Sequence, residues 1–115
     1  KKVLAKILAN LYEWRYSWLY NDTEKYLSFY AHDFVRHDGM DHSTFTKYKT
    51  RVFNKKEKKK IIFNNIDVIP YPNSSNIFKI TFREYYASNS FQFEGDKILM
   101  VKIDENSTFK ILTEK

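Results

Sequence analysis

Between Ile77 and Ser88 the chain reads as a strand whose inner face changes character along its length. Side chains on a strand alternate with period two, so Phe78, Ile80 and Phe82 share a face with Glu84, Tyr86 and Ser88. A face that is apolar throughout is a core. One that turns polar partway predicts a core opening into a pocket. Trp14 and Trp18, one turn apart on a predicted first helix, supply aromatic walls for such a pocket.

The core itself is well supplied. Of 115 residues, 43% are hydrophobic and 18% aromatic, while there are only two Gly and two Pro, which suits one folded domain and argues against disorder. The absence of Cys excludes a disulfide scaffold, a zinc–thiolate site and a thiol nucleophile. No run of about eighteen apolar residues exists to span a membrane. Lys1 to Asn10 is amphipathic and lacks a signal peptide's uninterrupted apolar stretch, so the sequence reads as a mature chain or an excised domain.

The formal net charge of +6 is unevenly placed: residues 1–60 carry fourteen Lys/Arg against seven Asp/Glu, and residues 61–115 carry six against seven. An anionic partner, whether nucleic acid, a wall polymer or an acidic peptide, would suit the basic half. The abundance of Lys, Asn, Ile, Phe and Tyr also fits a coding bias, and nucleic acid is not assigned.

Leu4, Ile7, Leu8, Leu11, Trp14 and Trp18 recur at three- and four-residue steps, predicting a helix over Lys2–Tyr20. Asn21 reads as an N-cap with Glu24 closing a capping box, and a short helix follows over Thr23–Tyr30 with Tyr26, Leu27 and Tyr30 inward. Ala31–Asp41, with Gly39 and interleaved His and Asp, reads as a loop. A third helix starts near Asp41 or Ser43, carries Phe45, Tyr48, Val52 and Phe53 as its stripe, and ends in Lys55, Lys56, Lys58, Lys59 and Lys60, where cations suit the negative end of the dipole. Strands are predicted over Ile61–Ile69, Ile77–Ser88, Phe91–Ile103 with a break near Gly95–Asp96, and Thr108–Thr113. Helices first and an antiparallel meander after them mean α+β, with three helices packed on one face of a sheet of about four strands.

The spacing Phe82-x-Glu84-x-Tyr86-x-Ser88, then Lys97-x-Leu99-x-Val101, then Phe109-x-Ile111-x-x-Glu114 resembles the nuclear transport factor 2-like (cystatin-like) fold. More narrowly, it resembles the version appended to bacterial L,D-transpeptidase and L,D-carboxypeptidase cell-wall enzymes. Trp14-x-x-x-Trp18, Asp22, Tyr26 to Tyr30 and Asp33-Phe34 extend the resemblance over nearly the whole chain. Glu84 and Phe109 depart from it, standing where Gln and Trp are usual. The resemblance implies a cone-shaped domain, a curved sheet wrapped around helices with a cavity at the wide end. It implies one domain over residues 1–115, excised from or following a catalytic domain, and a periplasmic location. It further implies that the chain is a non-catalytic accessory part, binding peptidoglycan stem peptides or a small polar ligand, or positioning an adjacent catalytic domain.

Trp14, Trp18, Tyr30, Glu84, Tyr86, Ser88 and Lys97 are the candidate ligand-binding residues. Lys97 leads the strand after Ser88, so an antiparallel hairpin should bring it near Tyr86 or Ser88, where it would anchor a peptide carboxylate. A plain Lys97–Glu84 cross-strand ion pair is the simpler alternative. His32, His37 and His42 with Asp33, Asp38 and Asp41 invite a metal, but no regular element fixes them together; no metal, cofactor or catalytic residue is assigned. Two other classes stay open. One is a stand-alone enzyme of the same fold using Asp33 or His37 for proton transfer. The other is a dimerisation module pairing through the sheet, for which Ile98 and Met100 would form an apolar outer face.

Overall fold

The structure, a computed structural model, describes residues 2–106 and 108–115. Three helices come first in space and largely in sequence: α1 (Lys2–Leu19), α2 (Thr23–Ser28) and α3 (His42–Phe53), with strand β1 (Tyr30–Arg36) between the last two. Four strands follow: β2 (Lys59–Pro70), β3 (Ile77–Ser88), β4 (Gln92–Ile103) and β5 (Phe109–Glu114). The sheet order is β1-β5-β4-β3-β2. The α+β fold with helices on one sheet face is as the sequence predicts, but the sheet has five strands and is mixed.

The extra strand is the segment expected to be a loop. Phe29 ends α2, and Tyr30 starts β1, which runs parallel to β5 with Tyr30 opposite Ile111. Tyr30 and Phe34 are buried on it, but His32, of the same parity between them, is exposed, and the ladder is irregular between Tyr30 and Val35. A strand without period-two alternation leaves no strand signature in the sequence.

Two local expectations are corrected. The α2 cap is Asp22, whose carboxylate accepts from the Lys25 N–H, and not Asn21. Asn21 sits at φ +58 with its amide turned to the Glu57 carbonyl and the Lys59 ammonium. The lysine run likewise does not close α3, which stops at Phe53; Lys59 and Lys60 open β2 instead. Asp41 caps the start of α3, accepting from the Thr44 N–H at 2.9 Å.

The core lies between α1 and the concave sheet face. Ile7, Leu11, Trp14 and Trp18 are buried on α1, although Leu4 at the start of that stripe is 46% exposed. Opposite them are Ile61 and Phe63 of β2, Ile80 and Phe82 of β3, Leu99 and Val101 of β4, and Phe109 and Ile111 of β5. The sheet bends where its ladders slip, between Asn64 and Asp67 in β2 (Asn65 has φ +57) and between Met100 and Val101 in β4. Arg15 ties α1 to the edge strand, donating through Nε and Nη2 to the Ile61 carbonyl at 2.9 and 2.6 Å. The β3–β4 ladder is continuous through Gly95, so the predicted break is absent.

On the outer face Ile98 and Met100 are half-buried and face Thr81 and Lys79 across the ladder, beside an Arg83 that bridges Glu94 and Asp96. That face is mixed and does not present a continuous apolar sheet among the described residues.

Candidate functional site

The polar end of the β3 face lies within the fold. Phe82 and Glu84 follow each other inward on β3 at 3% and 4% exposure, so the greasy-to-polar change read from the sequence occurs under cover. Glu84 Oε1 is sealed from solvent without a hydrogen-bond partner. Burial pushes the Glu84 carboxyl from 4.5 up to about 7; Lys97 and Lys49 pull the other way, and Glu114 adds to the rise.

Lys97 is not where hairpin reasoning puts it. The ladder sets it opposite Phe82, with Tyr86 opposite Phe93. Its ammonium donates to Glu114 Oε2 of β5 at 3.3 Å, with both side chains largely buried, so the ion pair that Lys97 makes is with Glu114 and not the alternative Lys97–Glu84 cross-strand pair. The strand-pairing slip between β4 and β5 is the cause: it brings Glu114 opposite Leu99 and onto the concave side.

Glu114 is held from its other oxygen. The Tyr30 hydroxyl donates to Glu114 Oε1 at 3.0 Å, and the Trp14 indole N–H donates to the Tyr30 oxygen at 3.1 Å. Tyr30 has one proton and the carboxylate is the stronger acceptor. The 2.9 Å contact between the Tyr30 and Tyr26 hydroxyls is therefore left to the Tyr26 proton. Burial, and then Glu114, push both phenols well above their usual range. Trp14, Tyr26 and Tyr30 thus form the floor beneath the carboxylate. Trp14 is 1% exposed and belongs to the core rather than to a wall.

A second lysine, absent from the sequence reading, completes the cluster. Lys49 of α3 is half-buried, and its ammonium lies 5.5–5.8 Å from the ring centroids of Trp18, Tyr26, Phe45 and Tyr48. Burial lowers its pKa, while Glu114 acts in the opposite direction. The signal was present: position 49 falls on the buried stripe four residues from both Phe45 and Phe53, where a lysine is out of place unless it has work to do.

Trp18 and Tyr86 form the aromatic side of the cluster, stacked at 5.4 Å with planes 19° apart, and Phe91 continues the row 6.0 Å from Tyr86. Ser88 closes the strand, its N–H donating to the Phe91 carbonyl at 2.8 Å. Gly95 stands opposite Glu84, and the Phe93 ring lies over it; a Cβ at Gly95 would meet Phe93 Cζ at 2.7 Å. The missing side chain lets that ring lean along the concave face.

Two open grooves lie elsewhere, and neither contains Glu84, Tyr86 or Lys97. One of about 550 Å³ is lined by Val3, Lys6, Asn76 and Asp104. The other, of about 470 Å³, runs beside β1 past Tyr30, His32, Asp33, His42 and Lys110. The His32 and His42 rings are 5.9 Å apart, and the described residues bring no third ligand to them. Asp33 and His37 are exposed to solvent, so neither joins the buried cluster.

Residues 6–115 match the family described as the Cds6 C-terminal NTF2-like domain. The chain belongs to that family. This NTF2-like domain is similar to the helical cell shape determining protein Pgp2 from Campylobacter jejuni: 45% identity and a TM-score of 0.81 over 94% of this chain and 39% of that one. A lysine-to-alanine variant of Pgp2 gives 43% identity and a TM-score of 0.92 over 98% of this chain and 40% of that one. Bd1075 from Bdellovibrio bacteriovorus shares the fold at 23% identity and a TM-score of 0.80, over 94% of this chain and 38% of that one. The NTF2-like domain therefore spans about two fifths of the length of these relatives. No curated protein matches it.

Proposed function

We propose that this chain is a non-catalytic accessory domain of a periplasmic cell-wall protein, one that binds peptidoglycan stem peptides at the Glu84–Lys97–Glu114–Lys49 cluster and so positions a neighbouring L,D-carboxypeptidase or transpeptidase domain. The observation that carries this reading is the cluster itself: two lysines and two carboxyl groups on the concave face, beside stacked Trp18 and Tyr86. Stem peptides present carboxylates and amines on a short aliphatic frame, which is the complement of such a set of charges. Likeness to a cell shape determining protein supports the wall context. A covalent role for a thiol is excluded in this domain, because it has no Cys.

Titration of ¹⁵N-labelled protein with purified muropeptides tests the reading. Shifts are expected at Glu84, Tyr86, Lys97 and Lys49. Unchanged spectra at millimolar ligand would overturn it. The stand-alone enzyme reading is not favoured, because its Asp33 and His37 are exposed and outside the cluster. Pairing of two copies through the sheet finds no continuous apolar face among the described residues to support it.

A further inference from the structure

The lysine run between α3 and β2 is not accounted for by the helix it follows. Cations suit the last turn of a helix, but α3 stops at Phe53, and Lys58, Lys59 and Lys60 lie past the range of its dipole. The run is also where the charge of the chain is concentrated. Residues 51–60 hold six Lys/Arg against one Glu, while the rest of the chain holds fourteen against thirteen. Arg51, Lys55, Lys56, Lys58 and Lys60 are all exposed, and none of them is in an ion pair among the described residues.

Hydrogen bonds fix this run between two other turns at one end of the molecule. Asn21, in the turn after α1, donates from Nδ2 to the Glu57 carbonyl at 3.3 Å and accepts from the Lys59 ammonium. The Glu57 carboxylate accepts from the Ser90 N–H at 3.2 Å and from the Ser90 hydroxyl at 2.9 Å, which ties the run to the β3–β4 turn and engages its single acid. Asp22 and Glu24, beyond Asn21, are the other acids beside it in the chain's first turn. Each flanking turn puts an aromatic ring into solvent: Tyr20 is 71% exposed and Phe91 60% exposed. Phe91 is backed by the Tyr86 ring at 6.0 Å and Tyr20 by the Tyr16 ring at 6.1 Å.

We propose that this end of the domain docks on an anionic phospholipid surface, with Lys55, Lys56, Lys58 and Lys60 at the headgroups and Phe91 and Tyr20 entering the boundary with the acyl chains. Charge complementarity selects a polyanionic partner, because a run so one-sided repels itself until an opposite surface meets it. The rings select lipid among polyanions. An exposed Phe has no polar handle, and its burial in the acyl boundary supplies the second signal that a basic segment needs for stable membrane attachment. The cations are nearly all Lys, point charges on flexible stems that follow a fluid headgroup layer; an Arg-rich set would suit the fixed geometry of a phosphate chain better. Lys55, Lys56, Lys58, Lys60, Phe91 and Tyr20 lie outside the concave cluster, so membrane docking stands whether or not that cluster binds stem peptides.

The test is co-sedimentation of the 115-residue chain with vesicles of phosphatidylcholine alone and of phosphatidylcholine mixed with phosphatidylglycerol. Binding is expected to the mixed vesicles only, and to weaken as salt is added. The combined variant Lys55→Gln, Lys56→Gln, Lys58→Gln should lose about fivefold in affinity per lysine, about a hundredfold in all. Lys2→Gln, Lys6→Gln, Lys102→Gln removes the same charge from exposed lysines at the opposite end of the molecule and should bind nearly as the wild type does. Phe91→Ala should weaken vesicle binding about tenfold, while its binding to double-stranded DNA, a polyanion without an apolar layer, stays as in the wild type. In Phe91→Trp the added indole should shift its emission to the blue on mixed vesicles. All these positions are exposed, and circular dichroism checks that each variant keeps the fold. Equal sedimentation with both vesicle types, or with neither, overturns the proposal. So does a loss as large in the opposite-end variant, which would reduce the effect to net charge. DNA binding as tight as vesicle binding, with Phe91→Ala altering neither, would make the patch a general polyanion site and overturn the lipid assignment.

Discussion

Replacing Glu84 with Gln should make the protein more stable, and more so as the pH rises. The carboxyl titrates at 4.5 when free and at about 7 in the fold, mainly because burial disfavours its charge. The folded state therefore holds the proton more tightly than the unfolded state. Between these values unfolding releases a proton, so stability falls as pH increases. Below 4.5 the group is neutral in both states and its contribution is fully present. Above 7 it is charged in both and the contribution is lost. At about 1.4 kcal/mol for each tenfold change in proton affinity, the difference amounts to roughly 3 kcal/mol. Gln keeps the shape and never ionises. Urea unfolding of both proteins at unit steps from pH 4 to pH 8 measures the effect, because all other titrations are common to the pair. The gap should be near zero at pH 4 and open to about 3 kcal/mol in favour of the variant by pH 8. Parallel curves would refute the argument, since they would mean that Glu84 is as well solvated in the fold as outside it. So would a wild type that gains on the variant as pH rises, the mark of a carboxylate stabilised by the lysines.

Two further substitutions probe the same cluster. Lys97→Ala leaves Glu114 buried with only the Tyr30 hydroxyl, so stability should fall by about 3 kcal/mol or more in urea unfolding at pH 7, and the Glu84 carboxyl should titrate higher still in ¹³C NMR once the larger of its two cationic influences is gone. Gly95→Ala drives a methyl to 2.7 Å from Phe93 Cζ, the free end of a ring that is 37% exposed. The ring should swing outward with less than about 1 kcal/mol change in stability, seen as altered aromatic shifts; a loss of several kcal/mol would show the ring to be locked in place.

Much of the fold is legible in local pattern. The helical stripe Ile7–Leu11–Trp14–Trp18, the Asp41 start of α3 and the alternation along β3 all appear where the sequence puts them. Each depends on a period the chain itself carries. β1 was hidden because it has no such period; it is a strand only because β5 lies beside it. Asn21 lost its cap role to Asp22 because Glu57 and Lys59, distant in sequence, take its side chain.

The site divides in the same way. Glu84, Tyr86 and Ser88 were placed on one face by parity, and Trp18 by its helical turn. Lys97 stands opposite Phe82 rather than beside Tyr86 or Ser88, because hairpin length alone does not fix register. Glu114 reaches the cluster through a ladder slip that inverts its parity, and the one sequence signal for Lys49 is its place on a buried helical stripe.

Which face of each regular element turns inward is written in the chain, since 3.6- and 2-residue periods are properties of a single segment. Which inward groups meet depends on how the elements pack against one another. Register, bulges and the approach of α3 to the sheet are set by the packing of whole elements, and they alone bring Lys97 to Glu114 while leaving Lys49 and Glu84 unpaired.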